Sequence, residues 1–347
     1  MDNIIESEGK VMRGNESDLP IVSIVMPCYN EEEALPETVR QMSLLLERLV
    51  KERKVSEHSK MLLVDDGSRD KTWSLIDSFH RSNRFVSGLK LSRNVGHQRA
   101  LLAGLLTAKE YADCIISIDA DLQDDITVID QFIEKYKQGY EVVYGVRNKR
   151  TTDTMFKKFS AQFFYKLMIK LGVNVVYNHA DYRMMSKKIV DKLEEYQEVN
   201  LFLRGIIPTI GFKSDSVYYD RLERTAGESK YPLKKMLIFA WEGITSFSVS
   251  PIRAVSVVGF FMSVMSLVFA LYVFVRHLQG NTVSGWSSMI LSIWFIGGIQ
   301  LLCIGLIGEY IGKIYIETKK RPKYFVETVL HNVVPAETKS QQLQETR

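Results

Sequence analysis

The run "SIDADLQDD" at 117–125 gathers Asp119, Asp121, Asp124 and Asp125 directly behind the apolar stretch Cys114-Ile115-Ile116. Carboxylates this close repel one another unless a cation sits between them. Two hard anionic oxygen ligands side by side suit Mg²⁺ or Mn²⁺. Such ions take one or two protein carboxylates and fill the remaining positions with water and phosphate oxygens. On a strand, positions i and i+2 share a face, so Asp119 and Asp121 are expected to point the same way. Asp124 and Asp125 are then expected to open the next helix, whose N-terminal dipole favours acids. Two further apolar runs end in polar residues. In "PCYNEEE" (27–33), Pro27 closes the strand, and Tyr29 with Glu31 offers an aromatic face and an acceptor. In Asp65-Asp66-Gly67-Ser68, Gly67 permits a tight turn that exposes the carboxylates.

These residues need a frame to hold them. Apolar runs recur at 21–26, 61–66, 86–91, 114–119 and 141–146, with helix-like stretches between them. In the first such stretch Leu35, Val39, Met42, Leu46 and Leu49 repeat at spacings of four and three, and Asn30 with Glu33 has the form of a capping box. Strands alternating with helices predict an α/β fold with a doubly wound, mostly parallel sheet. Ligands of such sheets sit beyond the carboxyl ends of the strands, where the three polar ends lie. No G-x-x-x-x-G-K-[ST] occurs and no G-x-G-x-x-G follows the first strand, which argues against a P-loop hydrolase and a dinucleotide-binding dehydrogenase. A formal net charge of +4 argues against a dedicated nucleic-acid binder. The three scattered cysteines predict no disulfide framework.

Beyond Tyr231 the character changes. Segments 254–276 and 286–308 contain the long uncharged runs "AVSVVGFFMSVMSLVFALYVFV" and "WSSMILSIWFIGGIQLLCIGLIG", each near the ~20 residues needed to cross a bilayer. They predict a two-helix transmembrane hairpin. Lys313, Lys319, Lys320, Arg321 and Lys323 follow it, whereas the connecting loop has only Arg276 and His277. The positive-inside tendency puts both termini on the cytoplasmic side of a multi-pass protein. Residues 1–19 read as a flexible start without an apolar leader, 20–230 as a soluble domain, and 231–253 as an amphipathic helix at the membrane surface. Residues 309–347 read as a cytoplasmic C-terminal segment and tail.

The series "VSIVMPCYNEEE", "LLVDDGSRD", "LSRNVGHQRALLAG", "SIDADLQDD", "GVRNKR", "ADYRMMS" and "ERTAGESKYPLKK" resembles, in this order, family 2 glycosyltransferases of the branch that makes polyprenyl-phosphate sugars. That branch includes bactoprenol glucosyltransferases and dolichol-phosphate mannose synthases. The resemblance covers about residues 20 to 328. It implies a GT-A nucleotide-sugar fold in the inner membrane, with a nucleotide-sugar donor, most simply UDP-glucose, and undecaprenyl phosphate as acceptor. On it, Pro27, Tyr29, Glu31 and Asp66 hold the nucleoside, with His97 beside the donor. Asp119, Asp121 and Gln123 hold Mg²⁺ or Mn²⁺ against the diphosphate. Arg147, Lys157 and Ser160 receive the lipid phosphate, and Arg224, Ser229 and Lys230 close over the diphosphate. The bland reading of the basic stretch 147–158 is a solvated face. Gly297, Gly298, Gly305, Gly308 and Gly312 permit close helix packing and hence a homo-oligomer. Three rivals stand beside this reading: GDP-mannose transfer, a processive polysaccharide synthase, for which no Q-x-x-R-W is present, and a membrane-anchored nucleotide-sugar binder without turnover.

Overall fold

The computed structural model describes residues 19–147, 179–198, 203–220 and 285–331, with scattered positions between 252 and 279. Five strands alternate with helices: β1 (Val22–Cys28), α1 (Leu35–Lys51), β2 (Lys60–Asp65), α2 (Thr72–Ser82), β3 (Val86–Leu91), α3 (His97–Ala108), β4 (Cys114–Ser117), α4 (Val128–Lys137) and β5 (Val142–Arg147). Each of the five expected apolar runs forms one of these strands. Three more strands, β6 (His179–Ser186), β7 (Ser214–Tyr219) and β8 (Val326–Leu330), complete the sheet. Its order is β7-β5-β6-β4-β1-β2-β3-β8. The core β4-β1-β2-β3 is parallel. However, β6 lies antiparallel between β4 and β5, and β8 runs antiparallel along β3, so the sheet is mixed. Six of the eight described strands run in one direction, as expected of a mostly parallel sheet, and β6 and β8 are the two that oppose them.

Both faces of the sheet are covered. One carries α1, α2 and α4. The other carries α3, α5 (Lys187–Glu194) and α6 (Leu203–Thr209). The i, i+4, i+7 stripe of α1 is its buried face, with Leu35, Val39, Met42, Leu46 and Leu49 all in the core. Its start differs from the expected capping box: the N-cap is Ala34, with no side-chain cap. Asn30 instead takes a left-handed backbone (φ 54°) and accepts from the Arg69 amide at 2.9 Å, stitching the loop after β1 to the loop after β2.

Pro27 does not close β1 but pairs within it, opposite Val64. Its missing N–H faces β4, because the Val25 carbonyl two residues earlier accepts from Ile118 on that side. The β1–β4 ladder ends at Val25, so the proline forfeits no bond. Gly67 does make the tight turn, at φ 65°, and a Cβ there would lie 2.5 Å from the Arg93 carbonyl carbon. Only glycine fits that approach.

The helix α7 (Trp286–Thr318) has 33 residues, about 50 Å at ~1.5 Å per residue. It begins where the second apolar segment was expected to begin and continues ten residues past Gly308. Ile293, Phe295, Leu301 and Ile304 are exposed on it. Among the described residues it contains the one stretch long and apolar enough to cross a membrane, Phe295–Thr318. Beyond Gly308, Glu309, Lys313 and Glu317 recur every fourth residue and share one stripe. The described positions of the first expected span, from Val257 to Val275, are helical and exposed. The rest of that span and the expected surface helix lie almost wholly outside the described residues.

After Thr318 the chain returns to the sheet. Residues 319–325 lead into β8, with the Ser92 amide donating to the Phe325 carbonyl at 3.0 Å. The Lys323 ammonium donates to the Tyr196 carbonyl at 2.8 Å. Because β8 is antiparallel to β3, its first residue, Val326, pairs with Leu91 at the carboxyl end of β3. The chain coming from α7 therefore meets the sheet at its carboxyl-end rim.

Candidate active site

The acidic run follows β4 rather than lying on it. The strand stops at Ser117, so alternation along a strand does not orient Asp119 and Asp121. The two lie in a turn instead, with Leu122 in the left-handed region at φ 53°. It is held from several sides. The Ile118 amide donates to Val25. The Thr38 hydroxyl donates to the Ala120 carbonyl at 2.7 Å, and the Gln123 amide donates to Asp121 Oδ1 at 3.2 Å. The Tyr182 hydroxyl donates to the Asp125 carbonyl at 3.0 Å.

Asp124 and Asp125 divide. Asp125 does stand at the approach to α4, accepting from the Thr127 amide at 2.9 Å. Asp124 turns inward instead. Its buried carboxylate accepts from the Tyr219 hydroxyl at 2.6 Å and from Arg147 Nη2 and Nε at 2.9 and 3.2 Å. Burial works against the Arg147 charge, but Asp124 outweighs it and holds the guanidinium above its ordinary pKa. Arg147 thus sits at the end of β5 in a defined orientation, next to the Gln123 loop.

Burial raises the Asp119 carboxyl above its usual range, and the charges of Asp181, Asp124 and Asp121 add to this, against the opposing pull of His97. A divalent cation would relieve that repulsion. Gln123 is buried, with its amide nitrogen unpartnered among the described residues. No cluster of three or more His, Cys, Asp or Glu side chains among the described residues is arranged to hold a metal. A cation held by Asp119 and Asp121 would complete its shell with water and phosphate oxygens and would need no third carboxylate.

His97 opens α3. Its Nε2 lies 3.7 Å from Asp119 Oδ1 and 3.6 Å from Asp181 Oδ2. Burial pushes the imidazole down, but the Asp181 contact and the two carboxylate charges outweigh it and raise its pKa. Asp181, on β6, accepts from Arg204 Nη2 and Nε at 2.9 and 3.2 Å, from Arg183 Nη2, and from Gln98 Nε2 at 3.4 Å. Burial alone would raise it, yet the Arg204, His97 and Arg183 contacts hold it well below the carboxylate range.

Asp66 is buried rather than displayed. Its carboxylate accepts from the Val95 and Gly96 amides at 2.7 and 3.0 Å and so fixes the loop that presents His97. Tyr29 is exposed just past β1. Beside it an open cleft is lined by Asn30, Glu31, Glu32, Arg69 and Asp70. Pro27, Tyr29, Glu31, Asp66, His97, Asp119, Asp121, Gln123 and Arg147 thus belong to one rim. Lys157, Ser160, Arg224, Ser229 and Lys230 lie outside the described residues. Tyr219, Asp181, Arg183 and Arg204 escaped the reading by residue type, and Asp124 was read only as a helix opener. The signal for two of them was present: Asp181 and Arg183 are opposite charges at i and i+2, alternating with apolar Tyr182 and Met184 on a strand.

Comparison with known proteins agrees with this architecture. Residues 23–194 match the glycosyl transferase family 2 domain, and residues 250–314 match the GtrB C-terminal hairpin. An uncharacterised glycosyltransferase of Bacillus subtilis, YkoT, is 56% identical over 90% of this chain and 93% of its own length. The bactoprenol glucosyl transferase of Shigella phage SfX is 40% identical over 88% of this chain and 99% of its own. A prophage bactoprenol glucosyl transferase homolog of Escherichia coli is 40% identical over 89% and 99%. The chain therefore belongs to glycosyltransferase family 2, in the group that carries the GtrB C-terminal hairpin, on a GT-A-like α/β fold.

Proposed function

We propose that the protein transfers glucose from UDP-glucose to a polyprenyl phosphate, inverting the anomeric centre, at the cytoplasmic face of the membrane. The observation that carries this reading is the polarity of β8. The seven residues 319–325 between α7 and β8 span at most about 24 Å, and β8 enters the sheet at the rim that holds Asp66, Asp119 and Arg147. A polyprenyl chain stays in the bilayer and only its phosphate emerges, so an enzyme acting on it needs its strand-end rim close to the lipid surface. The names of the bactoprenol glucosyl transferase relatives support the same acceptor and sugar.

The acceptor is a phosphate monoester whose second pKa is ~6, so it is already an anion at neutral pH. A phosphate oxygen forms the new bond to the anomeric carbon as the bond from that carbon to the donor diphosphate breaks, and UDP leaves with the bonding pair. No strong general base is required. The harder task is to hold two phosphate groups near one carbon. Arg147, oriented by Asp124 and Tyr219, would face the incoming phosphate, while Tyr29 and the cleft beside it would hold the nucleoside. Asp119 and Asp121 would hold a Mg²⁺ or Mn²⁺ ion, which offsets charge on the leaving diphosphate.

Full-length protein in detergent, incubated with undecaprenyl phosphate and a panel of radiolabelled nucleotide sugars, tests the reading. UDP-glucose should give the highest organic-extractable label, with an inverted linkage by NMR, and Asp121→Ala should abolish it. Equal label from the Asp121→Ala protein would refute the role of the acidic pair. Absence of lipid label with every donor would refute the acceptor.

A further inference from the structure

Asp181 accepts from three side chains, with a side chain only 8% exposed. Arg204 grips both of its oxygens, Nε on Oδ1 and Nη2 on Oδ2. Arg183, fully buried, takes Oδ1 as well. Its Nε and Nη1 have no partner among the described residues. Gln98 ties the group together: its Nε2 donates to Asp181, and its Oε1 accepts from the Leu203 amide at 3.3 Å. The first turns of α3 and α6 are thereby joined across one carboxylate. His97 is wedged between that carboxylate and Asp119.

We propose that Arg204 is a positioning residue of the donor site: by clamping Asp181 it holds His97 against Asp119 and so keeps Asp119 in the orientation that faces the cation and diphosphate. The proposal rests on the reading of Asp119 and Asp121 as the cation-holding pair, and it is independent of the acceptor. The physical reason is geometric. A planar guanidinium meeting both oxygens fixes the plane of a carboxylate, which a single point contact does not. Without Arg204, Asp181 keeps one donor on each oxygen, Arg183 on Oδ1 and Gln98 on Oδ2 at 3.4 Å, but loses the two-point fork that fixes its plane beside His97. The imidazole then loses its wall, and a less neutralised carboxylate faces Asp119.

The test uses full-length protein in detergent with Mn²⁺ and UDP as probes, and reads binding by electron paramagnetic resonance without turnover, alongside steady-state transfer. Arg204→Met should weaken Mn²⁺ binding about 10–100-fold, the range for residues that orient metal ligands. It should lower kcat and leave the KM for the lipid acceptor unchanged. Arg204→Lys, a point charge in place of a fork, should recover part of both losses. In an Asp181→Asn background, Arg204→Met should add little further loss, because the two act through one contact. Unchanged Mn²⁺ binding, a raised acceptor KM with kcat retained, or additive losses would overturn the proposal. If Arg204→Met fails to fold, Arg204→Lys alone and in the Asp181→Asn background makes the same comparison. Mn²⁺ binding that depends on Asp121 but not on Arg204 overturns this inference and leaves the proposed cation pair standing. Binding that depends on Arg204, in a protein that labels no polyprenyl phosphate, does the reverse for the acceptor.

Discussion

Replacing Asp124 by asparagine should uncouple Arg147 from the sheet, and the size of the effect follows from the contacts. The Asp124 side chain is 2% exposed and that of Arg147 23%. The carboxylate takes the Tyr219 hydroxyl and two Arg147 nitrogens. Breaking a buried pair by removing one charge costs about 3–5 kcal/mol. Asparagine keeps the shape and still accepts from Tyr219, and Arg147 has some access to water. The expected loss is therefore nearer ~2–3 kcal/mol, the upper range for a hydrogen bond to a charged group. The assay is a double-mutant cycle on chemical unfolding of the full chain, with Asp124→Asn, Arg147→Met and both together. The double variant should be less destabilised than the sum of the singles by at least about 1.5 kcal/mol, within the range seen for contacting residues. Lipid transfer should fall in both singles. A cycle that closes additively within ~0.5 kcal/mol would show that the pair does not hold Arg147 in place and refute the argument.

Two other outcomes follow from the same rim. The Asp119 carboxyl is raised in the folded protein, so its ionised form costs stability that sets in as pH rises from the unfolded value of ~3.9 through the folded one. Asp119→Asn should therefore melt above the wild type in chelator at neutral pH, with the gap vanishing below about pH 4, while transfer is lost; a lower melting temperature at neutral pH refutes the stated repulsion. Ending the chain after Pro322 removes β8 and bares the β3 edge. It should lower the melting temperature and impair transfer to undecaprenyl phosphate in vesicles more than to a short-chain acceptor in solution, and equal impairment would mean that β8 does not set the rim against the lipid surface.

Much of this architecture was legible in one dimension. Strands β1 to β5 announce themselves because each is buried on both faces and reads as an apolar run. The buried face of α1 follows from spacing alone. The later strands were not legible. β6 carries Asp181 and Arg183 inside the fold, where they neutralise each other, so its polarity disguises a central strand. β7 and β8 have exposed positions and no apolar run. A capping box fitted the letters at Asn30 and Glu33, yet a tertiary contact with the loop after β2 claimed Asn30 instead.

By itself the sequence determined the acidic pair, the strand ends on which it depends, and the long apolar segment that becomes α7, because local pattern and charge are enough to specify them. Only the tertiary structure decided which charges oppose which. Asp124 turns to Arg147 and Tyr219, Asp181 to Arg204 and His97, and β8 brings the end of α7 back to the carboxyl-end rim of the sheet. Those partners lie far apart along the chain, and their pairing is set by strand order and direction, which no local stretch of residues encodes.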